Sequence, residues 1–311
     1  MVVADKDGEA LFVETDGEGQ GEGVTTMPTA QELVQSCTSI FTLPEIYFRV
    51  REVVDDSNST MGDLAEVLKL DPAISARLLR IVNSPIYGFP KQIDTISRAV
   101  SLLGTQATID LVTATTIGKT FAGVPIQLMD VSKFWHRSVL CALLAGKLAK
   151  SCGIKDSERF FVEGLLRDLG HYVLYQYAPE RAQSALIEAG YLGSSLAEVE
   201  QSNIGCDFAE VGAELIHSWG MPMQIEQAIR HQLSPNEAGD YVQHASIVHL
   251  AGEVVDFEER DPKWRPAEVP CSPKALEATG FVLANLPELM TDAQAQLNET
   301  LALVYPQAVA A

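Results

Sequence analysis

The chain has 311 residues, of which 47% are hydrophobic and 21% are charged, with 42 acidic and 22 basic side chains. The formal net charge of −20 argues against a general nucleic-acid-binding surface and against attachment to anionic lipid, because both need a basic face. Glycines and charges interrupt the apolar stretches before a membrane-spanning length, and no basic and then apolar leader follows Met1. We therefore expect a cytoplasmic globular protein without nucleic-acid or membrane partners.

The five cysteines are scattered along the chain, and no two of them form a Cys-x-x-Cys pair. An odd number at irregular spacing favours reduced, mostly buried thiols over a disulfide framework or a structural zinc site. No cofactor is expected from this pattern.

Residues 1–27 are predicted to form a flexible acidic tail. The segment is rich in Gly, Asp and Glu and has few large apolar side chains to bury. Burial would not offset the entropy that such a segment loses on ordering. A docking role for the tail is the alternative, although no motif supports it.

Residues 28–122 are predicted to form an N-terminal lobe of helices. Asp71 and Pro72 together are a helix start signal, a capping carboxylate followed by proline at the first helical position. Pro85 ends that helix, because the residue before a proline is pushed out of the helical region. Other predicted limits are starts near Pro28 and Pro44, a cap at Ser59 or Thr60, a cap at Asp94 or Thr95 with an end at Gly104, and a helix from Thr105 to Phe121.

Gly123, Val124 and Pro125 predict a hinge, after which residues 123–257 form a second helical lobe. The helix from Val131 to Ser151 is apolar on more than one side, which is typical of the middle of a bundle. The other predicted helices are Asp156 to Leu169 closed by Gly170, Pro179 to Ala189, Ser195 to Gln201, Phe208 to Trp219, Pro222 to His231 and Asp240 to Asp256. In the extension 258–311, a loop to residue 273 and one or two closing helices are expected. The predicted class is all-α.

Two groups of motifs follow one another in a defined order. The first is LAEVLKLDPAISARLLRIVNSPIYG (Leu64 to Gly88) with IDTISRAVSLLG (Ile93 to Gly104). The second is FWHRSVLCALLAGKLA (Phe134 to Ala149), GLLRDLG, AEVGAELIHSWGMP (Ala209 to Pro222) and AIRHQ (Ala228 to Gln232). This order resembles an HDOD domain, the HD-related output domain of bacterial signalling proteins, over roughly residues 32–252.

The resemblance implies a two-lobed, all-helical domain with an HD-superfamily-like bundle in the C-terminal lobe. It also implies a non-enzymatic output or adaptor module that acts through protein–protein contacts. Family members are often fused to receiver or cyclic-di-GMP-related domains, and this chain has no room for one, so we expect partners in trans. Two alternatives are a metal-dependent phosphohydrolase of the HD superfamily and a helix-turn-helix DNA-binding regulator.

The positions that hold the metal in HD enzymes differ in this chain. By the resemblance, Arg137 takes a histidine position on the long helix, with His136 one residue early, and Arg167 takes the histidine of the His-Asp pair. Three further positions, where relatives often carry His or a carboxylate, are Phe208, Gln232 and Gly252. Only Asp168 and His231 remain, which is too few for a catalytic zinc or iron.

The candidate pocket therefore consists of Arg137, Arg167, Asp168 and His231. The favoured interpretation is structural: Asp168 pairs with Arg137 or Arg167, and the pocket stays neutral. A second interpretation is that the two arginines bind a small phosphate- or carboxylate-bearing ligand through bidentate contacts. The third interpretation is a residual metal site at Asp168 and His231.

Overall fold

The chain is almost entirely α-helical in the computed structural model, which describes residues 2–4, 10–12, 27–37, 45–56, 58–116, 127–157 and 159–305. This confirms the all-α class predicted from the helical spacing of apolar residues. The strands within these ranges are Val2–Ala4 and Ala10–Phe12, which pair antiparallel with Val2 opposite Phe12. They were not predicted, and they fall within the proposed acidic tail. The rest of residues 1–26 and the predicted hinge at 123–125 lie outside the described ranges.

Six helices of the described chain precede the predicted hinge. They are α1 (Ala30–Cys37), α2 (Glu45–Asp55), α3 (Met61–Lys69), α4 (Pro72–Val82), α5 (Ile96–Leu103) and α6 (Thr105–Thr116). The start signals act as expected. The Asp71 carboxylate accepts hydrogen bonds from the backbone N–H groups of Ala73 and Ile74 at 2.8 and 3.0 Å. Thr60 and Asp63 form a reciprocal capping box at the start of α3.

The helices after the predicted hinge form the larger part of the structure. They are α7 (Val131–Ser151), α8 (Arg159–Leu166), α9 (Leu169–Tyr177), α10 (Pro179–Leu192), α11 (Leu196–Ile204), α12 (Phe208–Ser218), α13 (Met223–Arg230), α14 (Val242–Arg260), α15 (Pro273–Thr279) and α16 (Leu286–Val304). Short 3-10 turns lie at Pro235–Glu237, Gly239–Tyr241, Pro266–Glu268 and Leu283–Asn285. Helix α14 runs to Arg260, so the first residues of the predicted loop are helical.

Helix α7 lies at the centre of the fold. It packs against α8, α14 and α16, so its buried face extends around most of its circumference. Trp135 and Leu144 on α7 are fully buried. The Trp135 ring stacks on Tyr305, just after α16, with the ring centroids 5.6 Å apart. The prediction of a central helix from Val131 to Ser151 is confirmed.

The predicted helix from Asp156 to Leu169 is wrong, because the chain turns at Arg167 and Asp168 and a new helix, α9, begins at Leu169. Gly170 lies in the first turn of α9 and does not end a helix. A Cβ atom there would lie 2.7 Å from the backbone nitrogen of Gly212 on α12 and would overlap the Phe208 carbonyl oxygen. Gly170 is therefore required for the close packing of α9 on α12.

The two sets of helices are in direct contact. Helix α1 packs on α9 and α12, although its position in the chain assigned it to the N-terminal lobe. From α2, the Arg51 guanidinium donates a hydrogen bond to the Gly220 carbonyl at 2.7 Å, and the Tyr47 hydroxyl donates to the Trp219 carbonyl. Helix α16 touches α4 and α6 as well as α7. These contacts join the predicted lobes into one packed body.

Over the described ranges, no helix combines the length and the apolar character needed to cross a membrane. The four cysteines with described side chains are free thiols, of which Cys141 and Cys206 are buried and Cys152 and Cys271 are half-buried. Burial raises the pKa of the Cys141 thiol to about 12, so this sulfur is protonated and unreactive at neutral pH.

Asp110 is a buried carboxyl group at the contact between the two sets of helices. It lies on α6, is 3% exposed, and accepts a hydrogen bond from Gln106 Nε2 at 2.7 Å. Burial raises its pKa to about 7, although the hydrogen bond from Gln106 and the charges of Arg159 and Arg51 oppose the rise. Glu163 on α8 reinforces it.

We expect the Asp110→Asn variant to have a flatter dependence of stability on pH than the wild type. The folded carboxyl keeps its proton up to about pH 7, and the unfolded one loses it near 3.8. The wild type therefore loses about 1 kcal/mol of unfolding free energy for each pH unit from this group as the pH rises from 4 to 7. Urea unfolding at pH 5 and pH 7 measures the difference. The exposed Glu52→Gln variant should retain the wild-type slope, and an equal slope in Asp110→Asn would contradict the assignment.

Candidate functional site

Asp168 is a buried carboxylate in the turn between α8 and α9, and its side chain is 2% exposed. Arg137, on α7, places Nε 2.9 Å from Asp168 Oδ2. Arg167, the preceding residue, places Nη1 3.1 Å from Asp168 Oδ1. The two pairings that the sequence left as alternatives thus occur together.

A second carboxylate, Asp256 on α14, completes the arrangement. Its Oδ1 lies 2.7 Å from Arg137 Nη2, and its Oδ2 lies 2.9 Å from Arg167 Nη2. Two guanidinium groups therefore alternate with two carboxylates. We call Arg137, Arg167, Asp168 and Asp256 the Arg–Asp cluster. Its formal charge is zero, and it joins α7, the α8–α9 turn and α14.

Asp256 was missed in the sequence analysis, but its spacing contained a signal. It follows Gly252 by four residues, which places both on the same face of α14. The side-chain carboxylate absent at Gly252 is therefore supplied one helical turn later.

Gly252 leaves the space that Arg167 fills. A Cβ atom at Gly252 would lie 2.5 Å from Cζ of Arg167 and 2.8 Å from its Nη2. Any side chain at this position would displace the guanidinium. The pairing of Arg167 with Asp256 thus depends on the missing side chain of Gly252.

Phe208 and Gln232, two further residues that the resemblance placed at the site, also contact Arg167. The Phe208 ring centroid lies 5.9 Å from Cζ of Arg167, within the range of a cation–π contact. Gln232 is 1% exposed, and its Nε2 donates to the backbone carbonyl of Arg167 at 3.1 Å. Together with Gly252, three residues at positions implied by the resemblance thus meet the same arginine.

His249 holds Gln232 in place, a role that the sequence did not suggest. Ser272 donates its backbone N–H to His249 Nε2 at 3.1 Å. That acceptor role leaves the proton on Nδ1, which donates to the Gln232 carbonyl at 2.8 Å. Burial lowers the pKa of His249, which favours this neutral form.

His231 does not join the Arg–Asp cluster. It is half-buried at the end of α13, and its side chain makes no hydrogen bond or ion pair with any described residue. Burial, together with the charge of Arg230, lowers the pKa of its imidazole. The structure therefore brings together three of the four candidate pocket residues.

The two arginines strongly lower the pKa of the Asp168 carboxyl group. Burial alone would raise its pKa, but Arg137 and Arg167 outweigh burial and hold the pKa at about 2. The two carboxylates in turn raise the pKa of both arginines against the effect of burial. Asp168 and the two arginines are therefore charged at neutral pH.

Residues 40–235 of the chain match the HDOD domain family. The chain belongs to this family. A Shewanella amazonensis protein named "Putative phosphohydrolase" has a similar solved structure, with a TM-score of 0.68 and 26% sequence identity over 90% of this chain and 100% of its own. The structure of an HDOD domain protein of unknown function from Geobacter sulfurreducens has a TM-score of 0.63 and 21% identity, covering 87% of this HDOD protein and 97% of that chain.

A relative from Treponema pallidum (strain Nichols), named "Uncharacterized protein", is 25% identical over 239 residues. The alignment covers 75% of this HDOD protein and 45% of the relative. The HDOD protein thus spans about half the length of the relative it matches.

The residues of the Arg–Asp cluster and Gly252 do not fit a metal ion. Guanidinium groups have no lone pair to donate, and Gly252 has no side chain. Both oxygens of Asp168 already face arginines. Among the described residues, no group of three or more His, Cys, Asp or Glu side chains is arranged to hold a metal. The arrangement is that of a closed ionic network.

We expect Asp168→Asn to destabilise the HDOD protein by about 3–5 kcal/mol, because the buried Arg167 and the half-buried Arg137 would then share one carboxylate. Urea denaturation at pH 7 measures this loss. The matched control is Glu259→Gln, since Glu259 Oε2 lies 3.6 Å from Arg137 Nη1 but its side chain is 58% exposed. The control should cost less than about 1 kcal/mol. Wild-type stability in Asp168→Asn would refute the buried-cluster account.

We expect Gly252→Ala to destabilise the protein by about 1–3 kcal/mol, because the added methyl group pushes Arg167 away from Asp256. The control is Gly190→Ala in α10, where no atom lies within 4 Å of the added Cβ. That change should stabilise the helix by about 0.5–1 kcal/mol. In an Arg167→Met background, Gly252→Ala should lose most of its effect. Equal effects at the two glycines would show that Arg167 does not occupy this space.

Proposed function

We propose that this HDOD protein is a non-catalytic bacterial signalling module that acts through contacts with other signalling proteins in trans. The observation that carries the proposal is the position of Arg167, which fills the space beside Gly252 and is neutralised by Asp168 and Asp256. Membership of a family of output domains supports the signalling role. With the Arg167 guanidinium in this space, the helical scaffold is kept, but the site lacks the ligand atoms that would hold a metal ion as a Lewis acid.

A small anion bound by both arginines is supported less well than a closed cluster. Such a ligand would have to displace Asp256, whose two oxygens face Arg137 and Arg167. The Arg167 side chain is only 5% exposed. On the more open side, Glu259 lies 3.6 Å from Arg137 and would repel an approaching anion. These contacts favour a structural role for the Arg–Asp cluster over the binding of an anion.

A helix-turn-helix role is disfavoured by the packing of α4, the helix that would read DNA. Leu78, Ile81 and Val82 on this helix are buried. Arg77 is 8% exposed and donates to the Thr115 carbonyl, so one of the two basic side chains of the helix is turned inward. A recognition helix instead presents its polar side chains to the base edges.

Metal analysis combined with an activity screen tests the non-catalytic part of the proposal. The full chain, purified without chelator, is expected to retain far less than one iron, zinc or manganese ion after dialysis. With these metals added, it should not hydrolyse nucleotides or cyclic dinucleotides. One metal ion per chain that survives dialysis, together with metal-dependent hydrolysis, would overturn the proposal in favour of an HD-type phosphohydrolase.

Affinity capture from the native host tests the signalling part separately. The full chain is expected to co-purify specific signalling proteins that a heat-denatured sample does not retain. If mass spectrometry finds no specific partner while the protein is folded, action through protein contacts is refuted, whatever the metal analysis shows.

A further inference from the structure

A cavity of about 70 Å³ lies between α7, α8, α16 and the chain that follows α4, and it shares no residue with the Arg–Asp cluster. Its apolar wall is formed by Ile86, Leu143 and Phe161. Since a water molecule needs roughly 10–15 Å³ of such volume, the cavity has room for about five or six non-hydrogen atoms.

The polar residues that line the cavity include two lysines, Lys147 and Lys150, and Gln296 from α16. The lysines are three residues apart on α7, so their side chains lie on neighbouring positions of one helix face. Two basic residues thus line one small cavity in a chain with 42 acidic and 22 basic side chains. The charged residues of the lining are therefore basic, in an otherwise acidic protein.

Lys147 lacks a close counter-charge. Its side chain is 19% exposed, and its ion-pair partner, Asp292, is 4.0 Å away and itself 63% exposed. The charges that act on Lys147 are those of Asp292 and Lys150, which oppose each other, and burial lowers the pKa of Lys147. A small anion at the cavity would supply the missing charge at close range.

Gly146 contributes to the free space beside Lys147. A Cβ atom at Gly146 would lie 3.8 Å from the Ser157 carbonyl oxygen, an ordinary contact distance. An alanine is therefore compatible with the fold, and its methyl group would enter the lining of the cavity.

We propose that this cavity binds a small carboxylate of three or four carbons, with its charged end at Lys147 and Lys150 and its alkyl end against Leu143 and Phe161. The division of the lining into one cationic side and one apolar wall favours a ligand with one polar end. Inorganic phosphate is polar on every side and would press oxygens against the apolar wall without hydrogen bonds. Bound there, the carboxylate links α7 to α16 and to the segment after α4.

Saturation-transfer NMR with butyrate on the full chain tests the proposal, with titrations in sodium chloride of matched ionic strength. For a ligand of six non-hydrogen atoms, we expect saturable binding with a Kd of about 1 mM. Saturation should be strongest at the butyrate methyl group. Lys147→Gln and Gly146→Ala should each weaken binding at least tenfold. The matched control Lys133→Gln, an exposed lysine on the same helix, should bind like the wild type.

Several outcomes would overturn the proposal. Absence of saturable butyrate binding refutes the site. Equal affinity in the wild type, Lys147→Gln and Gly146→Ala places any binding elsewhere. If phosphate binds and butyrate does not, the ligand class is wrong. Melting curves of each variant are recorded without ligand. A variant that melts like the wild type is folded, so its loss of butyrate binding is due to the change in the cavity. The result does not depend on whether the Arg–Asp cluster is catalytic.

Discussion

The burial of the Arg167 guanidinium, with the half-buried Arg137 beside it, is the constraint on which the centre of this structure depends. Moving a charge out of water costs several kcal/mol, and only close opposite charges offset that cost. Asp168 and Asp256 meet this requirement, because each of them contacts both arginines. The four charges come from three segments of the chain. The cluster therefore fixes how α7, the α8–α9 turn and α14 sit relative to one another.

Arg167 requires more than counter-charge, because its long side chain also needs space within the fold. Gly252 leaves space for the Arg167 side chain, and Asp256 provides a negative charge beside it. Gln232 donates a hydrogen bond to the backbone carbonyl of Arg167. Phe208 lies under the guanidinium face. The residues around Arg167 thus act together, since each of them meets one requirement of the same buried cation.

The sequence predicted the fold where local chemistry determines it. The capping residues of α3, α4 and α5 and both ends of α7 were found from side-chain type and apolar spacing. The break between α8 and α9 was not found, because the apolar pattern continues through it and Gly170 resembles a helix end. The actual reason for this glycine is the backbone of α12, which is distant in sequence.

The candidate site was likewise predicted where motif position determines it, and missed where packing of distant helices determines it. Arg137, Arg167 and Asp168 were identified from motif positions, but the contribution of Asp256 depends on how α14 packs against α7. His231 was selected from its motif position, whereas its neighbour Gln232 makes the contact. At the end of a helix, the direction of a side chain follows the local turn of the backbone, which spacing alone does not specify.

Helices α14 and α16 extend the folded domain beyond the residues that match the family. The family match ends at residue 235, yet α14 and α16 begin after it. Asp256 supplies half of the negative charge of the cluster, and Tyr305 covers the ring of Trp135 on the central helix. A fragment cut at the limits of the family match would expose this core and leave two arginines with one carboxylate. The unit that folds is therefore larger than the unit that sequence similarity recognises, and the C-terminal extension belongs to its interior.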